Sequence, residues 1–274
     1  MIGYRHLISI DTIHIKIKLK KSEITRLLNV YEFQHLSYKQ NEIYQYAIKS
    51  DDKSIYIKLC KTVPGSTFNS EIQLQRGFTT RNGKVNQSLT ADVLALLNEN
   101  QNYWISRIDF AFDYLIPFKR SFSIKRHGNQ KRQAIGEGYY FNGSTKNKKK
   151  PAVHSHYNRN NKEKEKVLYS NRFEVKLFFE KSKGMRFNNI NHSLIVNELR
   201  KEIFVADIGH VQGLTAKEKD LILKSKREGT ENCLQMELSK KEYTQFRKKI
   251  KVCREPLEQT YLDNSHLIYD FLLT

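Results

Sequence analysis

The stretch Trp104-Ile-Ser-Arg-Ile-Asp-Phe-Ala-Phe-Asp-Tyr114 alternates apolar and polar side chains, a pattern typical of a β-strand. Because successive side chains of a strand point to opposite faces, Ile108, Phe110 and Phe112 share one face, which we expect to be core. The other face carries Arg107, Asp109, Ala111 and Asp113. Aspartate is depleted in strands. Two aspartates on one face of a strong strand therefore call for a reason, and divalent metal binding is a candidate.

The composition favours a polyanionic partner. The 274 residues include 48 Lys and Arg against 29 Asp and Glu, a formal net charge of +19. Such an excess suits nucleic acid or a membrane surface. The basic residues are spread over strands and loops instead of one amphipathic helix, which argues against the membrane. No apolar run approaches the roughly 18 residues that span a bilayer, and the N-terminus opens as a strand, so we expect a cytoplasmic protein.

Hydrophobic periodicity predicts a mixed α+β part followed by a mainly helical part, with a boundary that gives domains 1–187 and 188–274. Strands are expected at 10–19, 42–48, 54–60, 70–75, 105–114, 138–141, 151–157 and 172–179. Helices are expected at 22–28, 89–97, 193–200, 215–223 and 239–247. Thr215 and Glu218 form a capping-box pattern at the start of one of these helices.

A second strand repeats the pattern of the first one. In Arg172-Phe-Glu-Val-Lys-Leu177 the apolar side chains share one face, and Glu174 lies on the other. If both strands belong to one sheet, Glu174 can join Asp109 and Asp113 in binding Mg²⁺ or Mn²⁺. The alternative is that Glu174 and Asp113 form solvated cross-strand ion pairs with Arg172 and Arg107.

The segment His154-Ser155-His156-Tyr157-Asn158-Arg159 concentrates reactive side chains. His154 and His156 would share one strand face and could supply two metal ligands, although surface histidines give the same pattern. Tyr157 differs from the other tyrosines of the chain in its neighbours, which are a lysine run, two histidines and Arg159. Such a setting would hold phosphate and favour the phenolate.

Two basic segments could contact DNA. The first is a lysine-rich loop, which together with Arg159 would touch backbone phosphates or would simply be solvated: Lys146, Lys148, Lys149 and Lys150. The second is the helical stretch 240–251, where Arg247, Lys248 and Lys249 could read bases from a helix in the major groove.

The motif order resembles the replication initiation factor family, which includes the Rep_trans-type rolling-circle initiators of Gram-positive plasmids. The resemblance covers roughly residues 8–180. It rests on Arg107-Ile-Asp-Phe-Ala-Phe-Asp113, Tyr140-Phe-Asn-Gly-Ser144, His156-Tyr-Asn-Arg159 and Arg172-Phe-Glu-Val-Lys-Leu177, in that order.

The resemblance implies a fold, a chemistry and a set of partners. The fold is a curved, largely antiparallel sheet with flanking helices, which forms a catalytic domain ahead of a helical DNA-recognition part. Tyr157 would nick DNA and remain attached as a 5′-phosphotyrosine, with Tyr139, Tyr140 and Tyr169 as alternatives. Asp109 and Glu174 would hold the metal, and Asp113 would either join them or serve a structural role. Arg107 and Arg172 are expected to contact DNA.

Further expectations from the resemblance concern the assembly. The expected partners are double-strand origin DNA with a hairpin, a host superfamily 1 helicase and a second copy of the chain. A different class of protein also accounts for the sequence, namely a non-catalytic DNA-binding regulator on the same fold in which the acids are only ion-pair partners.

Overall fold

The computed structural model describes residues 6–36, 43–63, 65–75, 87–100, 102–124, 131–135, 138–142, 152–163, 167–228, 234 and 236–269. The chain forms two compact units that interleave along the sequence. Unit 1 consists of Met1–Ile8, Ala111–Leu177 and His192–Asn264, and unit 2 of Ser9–Phe110, Phe178–Asn191 and Ser265–Thr274. These units are divided differently from the expected domains 1–187 and 188–274, whose boundary stays a prediction.

Unit 2 is built mainly from strands. Its strands are β1 (His6–Ile17), β2 (Gln34–His35), β3 (Tyr44–Lys49), β4 (Ile55–Lys61), β5 (Ser70–Gln75) and β6 (Tyr103–Tyr114), of which β1 and β6 also extend into unit 1. Their order is β2-β3-β4-β5-β1-β6. Its helices are α1 (Lys21–Val30) and α2 (Gln87–Glu99). The predicted alternation of β1 is confirmed, because Ile13 and Ile15 are fully buried opposite Leu74 and Ile72 of β5.

Unit 1 combines a sheet with most of the helices. The end of β6 is followed in strand order by β11 (Asn171–Phe178), β10 (Ala152–Asn158), β9 (Gly138–Asn142) and β8 (Lys131–Ile135). A separate two-stranded sheet pairs β7 (Phe122–Ile124) with β12 (Ile203–Val205). The helices are α3 (Arg159–Glu163), α4 (His192–Leu199), α5 (Ala216–Glu228), α6 (Lys240–Val252) and α7 (Leu257–Tyr269), of which α7 continues into unit 2 from Ser265.

The helical part packs on the small sheet through one apolar cluster. Phe122 and Val205 from the sheet join Ile222 of α5 and Phe246 and Ile250 of α6, all of them buried. The capping box of α5 is confirmed: the Glu218 backbone N–H donates to Thr215 Oγ1 at 3.1 Å, and the Thr215 N–H donates to Glu218 Oε2 at 2.7 Å. A second box at Ser239 and Glu242 opens α6.

The structure confirms the predicted fold class, an α+β protein with a large, largely antiparallel sheet, flanking helices and a helical C-terminal part. The sequence analysis missed three strands. Two of them, β7 and β8, begin within Lys119 to Arg132, where no strand was expected. The third is the short β12, which lies inside the part that was expected to be mainly helical. Among the described residues, no helix is long and apolar enough to cross a membrane.

Candidate functional site

The register of β10 against β11 sorts the predicted site residues of unit 1 onto two faces. Tyr157 lies opposite Arg172, Ser155 opposite Glu174 and Val153 opposite Lys176. Residues that lie directly opposite each other in an antiparallel pair point to the same side. Tyr157, Arg172 and Glu174 therefore share one face, which we call the tyrosine face. The histidines of β10 lie on the other face, opposite Val175 and Phe173.

A buried ion pair joins β6 to β11 on the tyrosine face. Arg172 Nε donates to Asp113 Oδ1 at 2.6 Å, and Arg172 Nη2 donates to Asp113 Oδ2 at 2.7 Å. A second guanidinium, that of Arg159, lies 3.4 Å from the same Oδ2. Asp113 and Arg172 are 1% and 2% exposed. The ion-pair alternative is thus realised for Asp113, but the pair is buried and not solvated as that alternative supposed.

Glu174 is held by its neighbours across the sheet. Ser155 Oγ donates to Glu174 Oε2 at 2.8 Å, and Lys176 Nζ lies 3.9 Å from the same oxygen. Glu174 is buried, whereas the Lys176 side chain is partly exposed. Sequence reasoning did not single out Ser155. The signal was available, because Ser155 alternates with Tyr157 and so belongs to the same strand face.

Tyr157 is 1% exposed and packs against a glycine of the neighbouring strand. A Cβ atom added to Gly138 would come within 2.2 Å of the Tyr157 Cβ and 2.4 Å of the His156 carbonyl oxygen. Only glycine lets β9 approach β10 this closely. A reaction of Tyr157 with DNA therefore requires that its phenol become accessible.

The alternative tyrosines lie at different places. Tyr140 and Tyr139 of β9 are opposite Ser155 and His156 in register. Tyr169 precedes β11 and is partly exposed.

His154 lies in the core beneath the opposite face. Its ring contacts Phe141 and Phe173 at centroid distances of 4.7 and 5.2 Å. Its Nδ1 is 2.6 Å from Oε2 of Glu202, an ion-pair distance without hydrogen-bond geometry. Both side chains are fully buried.

His156 also lies in the core, within a polar network. Its Nε2 is 2.8 Å from Ser121 Oγ and 3.0 Å from Asn171 Oδ1. Burial lowers the pKa of His156 well below its usual value, and the charge of Lys226 lowers it further. His156 is therefore neutral, with hydrogen-bonding partners for its ring. His154 and His156 point away from Glu174, so these two histidines do not complete a site with it.

Asp109 belongs to unit 2 and is also paired. Arg107 Nε donates to Asp109 Oδ1 at 2.6 Å, and Arg107 Nη2 contacts the other oxygen. Asp109 is buried, while the Arg107 side chain is about a quarter exposed, at 24%. The Arg107 guanidinium also lies over the Phe178 ring, 5.7 Å from its centroid.

The predicted metal site requires that several carboxylate or histidine side chains lie close together. Within the part of the chain that the structure describes, no group of three or more His, Cys, Asp or Glu side chains could hold a metal ion. Asp113 directs both oxygens to Arg172. The expected three-carboxylate arrangement therefore does not fit these side chains, and we assign no chemical step to a metal.

The predicted DNA contacts of the helical part differ in their availability. On α6, Lys248 is exposed, and Arg247 lies over the Tyr243 ring at 5.8 Å. Lys249 Nζ instead donates to both carboxylate oxygens of Glu218, at 2.9 and 2.8 Å. Lys146, Lys148, Lys149 and Lys150 lie outside the described residues.

Comparisons with known proteins add little to this geometry. No protein-family model matches the sequence, and no curated protein matches it. Among solved structures, a rolling circle replication initiator protein from Geobacillus stearothermophilus is similar over 91% of this chain and 98% of that chain. The sequence identity is 11% and the TM-score 0.43, a likeness too low to argue from.

Proposed function

We propose that this chain is a rolling-circle replication initiator that nicks and rejoins DNA at an origin through Tyr157. The observation that carries the proposal is the β10–β11 register, which puts Tyr157 opposite Arg172 and on the same face as Glu174. The order of sequence motifs supports the same proposal. A tyrosine beside a guanidinium is a suitable nucleophile for a phosphodiester, because the cation attracts the phosphate and favours the phenolate.

The proposed reaction proceeds in two steps. The Tyr157 phenol loses its proton to solvent, and its oxygen attacks phosphorus. A bond from phosphorus to the tyrosine oxygen forms, and the bond to the 3′ oxygen breaks. The 3′ oxygen takes a proton from water and becomes the primer for synthesis, while the 5′ phosphate stays on tyrosine. Attack by a 3′-OH on the phosphotyrosine reverses these changes and rejoins the strand, so covalent catalysis splits strand transfer into two steps.

The charges of the tyrosine face suit this reaction. Two guanidinium groups, those of Arg172 and Arg159, share one carboxylate, that of Asp113. This trio keeps one net positive charge within a buried setting, where electrostatic interactions are stronger than in water. A phosphate that reaches Tyr157 would gain from that charge, which makes Arg172 and Arg159 the residues that we expect to hold it.

The proposal includes dependence on Mg²⁺ or Mn²⁺, but with fewer protein carboxylates than the three expected from the sequence. Magnesium sites that include substrate phosphates need as few as one or two protein carboxylates, with waters as the other ligands. We expect Glu174 of unit 1 to be needed for metal-dependent activity in that sense, and Asp109 of unit 2 is a separate candidate. Glu174→Gln should lower nicking at saturating Mn²⁺ without lowering the thermal midpoint by more than a few degrees.

The decisive experiment traps the covalent product. The substrate is a supercoiled plasmid that carries the DNA adjoining the coding sequence of this protein, incubated with Mn²⁺. Wild type should give open circles with protein bound to the 5′ end, and mass spectrometry should find the peptide that contains Tyr157 on DNA. Tyr157→Phe should form no adduct, and the matched variant Tyr169→Phe should form the wild-type amount. An adduct in Tyr157→Phe contradicts the assignment.

Two observations favour a second candidate, the non-catalytic DNA-binding regulator. Tyr157 is 1% exposed, and the carboxylate of Asp113 is occupied by Arg172. A regulator would bind the same DNA and form no adduct with any plasmid. Thermal unfolding with and without Mn²⁺ separates the two functions: a stabilising shift that is lost in Asp109→Asn supports the enzyme, and the absence of any shift supports the regulator.

The partners are proposed on the resemblance alone. We expect the origin to be double-stranded DNA with a hairpin, the active species to be a homodimer, and a host superfamily 1 helicase to unwind DNA from the nick. Sedimentation of the purified chain tests the dimer directly.

A further inference from the structure

Unit 2 has a surface on which lysines lie over aromatic rings. Lys16 Nζ is 4.8 Å from the centroid of Phe68, Lys61 Nζ is 3.8 Å from the same centroid, and Lys58 Nζ is 5.5 Å from that of Tyr56. Tyr44 lies 6.0 Å from Lys16 and 5.9 Å from Lys58. We call these residues the Lys–aromatic surface. Lys181 extends it, 5.6 Å above the Trp104 ring, which meets Phe68 edge-on at 5.4 Å.

Strand register explains why these side chains meet. Lys16 of β1 lies opposite Glu71 of β5, and Lys58 of β4 lies opposite the same Glu71. The two lysines are therefore two strand spacings apart, or about 10 Å. Phe68 precedes Asn69, whose backbone N–H donates to the Ile17 carbonyl oxygen of β1 at 3.2 Å, so Phe68 lies beside β1.

One carboxylate lies at the centre of this surface. Glu71 contacts Lys16 and accepts hydrogen bonds from Tyr44 at 3.3 Å and from Gln73 at 2.8 Å; His14 Nδ1 is 3.1 Å away. Lys58 lies opposite the same acid in register, so Lys16 and Lys58 outweigh the charge of Glu71 and this part of the surface is positive. Burial, together with the charges of Lys61 and Lys58, lowers the pKa of Lys16 to about 8. A polyanion would relieve this crowding of like charges.

We propose that the Lys–aromatic surface binds single-stranded DNA. Lysines along a strand surface attract backbone phosphates, and aromatic rings between them stack on bases. Tyr56 and Phe68 are the rings for stacking, because they are partly exposed while Tyr44 and Trp104 are buried. Duplex bases stack on each other and cannot use these rings, which favours a single strand. The choice of DNA over RNA rests on the proposed function, in which nicking frees a strand.

The test measures anisotropy of a fluorescein-labelled 20-nucleotide oligo(dT) with the full chain at several salt concentrations. Lys58→Gln/Lys61→Gln should weaken binding at least tenfold and reduce the slope of log affinity against log salt by about 1.4, the value for two single-strand phosphate contacts. Tyr56→Leu should weaken binding about tenfold and leave the salt slope unchanged, because it removes stacking only. Lys20→Gln/Lys21→Gln is the matched control. It removes the same charge from exposed positions at the start of α1 and should stay within about twofold of wild type.

Three results would overturn the proposal. The first is an equal loss of oligo(dT) affinity in both double variants. The second is a 20-base-pair duplex that displaces labelled oligo(dT) as well as unlabelled oligo(dT) does. The third is oligo(rU) that binds as tightly as oligo(dT). The thermal midpoints of the two double variants are measured as a folding control. If they are equal, a difference in oligo(dT) affinity between these variants does not come from a loss of folding.

Two measurements, adduct formation with plasmid and binding of oligo(dT), separate this proposal from the nicking proposal. If wild type forms no adduct with plasmid while the Lys58→Gln/Lys61→Gln variant loses oligo(dT) binding, nicking is wrong and the surface stands. If the adduct forms and that variant binds oligo(dT) normally, the surface is wrong and nicking stands.

Discussion

Replacing Asp113 by Asn should destabilise the protein strongly, because it removes the negative charge from a buried pair and keeps its shape. Arg172 approaches both oxygens of Asp113 at 2.6 and 2.7 Å, and Arg159 lies 3.4 Å from one of them. Side chains of the closer pair are 2% and 3% exposed. Removing one partner of a buried pair costs about 3–5 kcal/mol. In chains somewhat smaller than this one, a loss of 1 kcal/mol lowers the thermal midpoint by about 2–4 °C, so the thermal midpoint of Asp113→Asn should fall by about 6–20 °C.

The assay is thermal and urea unfolding in EDTA, so that no metal contributes. Asp113→Leu/Arg172→Met should recover most of the lost stability, since an apolar pair of similar volume often replaces a buried ion pair without loss. Asp92→Asn is the matched control: its pair with Arg26 is 2.8 Å long but partly exposed, at 47% for Arg26, and should be worth at most about 1 kcal/mol. If Asp113→Asn is as stable as wild type in EDTA and loses a Mn²⁺-induced shift, Asp113 is a metal ligand and the reasoning fails.

Three further predictions concern other parts of unit 1. Gly138→Ala should cost about 2 kcal/mol or more by urea unfolding, because the new Cβ would overlap Tyr157; an unchanged midpoint would refute the close packing of β9 on β10. Burial lowers the pKa of Lys226 to about 7 from the usual 10.5, so the unfolded chain binds more protons between those values and stability rises with pH there. In Lys226→Met this pH dependence, at most about 1.4 kcal/mol per pH unit, should be lost. Urea unfolding of wild type and variant at pH 7, 8 and 9 measures it. Free energies of unfolding that change with pH by the same amount in both proteins would contradict the prediction. Thr215→Ala should cost about 1 kcal/mol by removing the cap of α5, whereas the exposed Thr244→Ala should change the free energy of unfolding by less than about 0.5 kcal/mol.

Local patterns predicted much of the fold correctly. The alternation of Ile13, Ile15 and Ile17 predicted β1, and the pair Thr215 and Glu218 predicted the start of α5. Such features depend on neighbours in sequence, so periodicity and capping chemistry reveal them. The strand 70–75 was predicted with its observed bounds. For the same reason, the shared face of Tyr157 and Ser155 could be read from the alternation of β10.

Long-range partners could not be predicted in this way. Strand β7 has only three residues and pairs with β12 some 80 residues later, so neither segment has a period of its own. Arg172 was expected to be solvated or to contact DNA, but its partner Asp113 lies 59 residues away in the chain. Charge alone does not tell a buried pair from an exposed one, because burial depends on which elements pack over the strand.

The aspartates of β6 drew attention because strands disfavour them, and each is paired with an arginine. A buried ion pair is poor evidence of selection for stability, since its desolvation cost can exceed its Coulombic gain. An apolar pair at positions 113 and 172 should restore most of the stability that the ion pair provides. An apolar pair could not, however, hold a charged guanidinium opposite Tyr157. The buried pair suits the proposed function, in which Asp113 would position Arg172 and Arg172 would meet the phosphate that Tyr157 attacks.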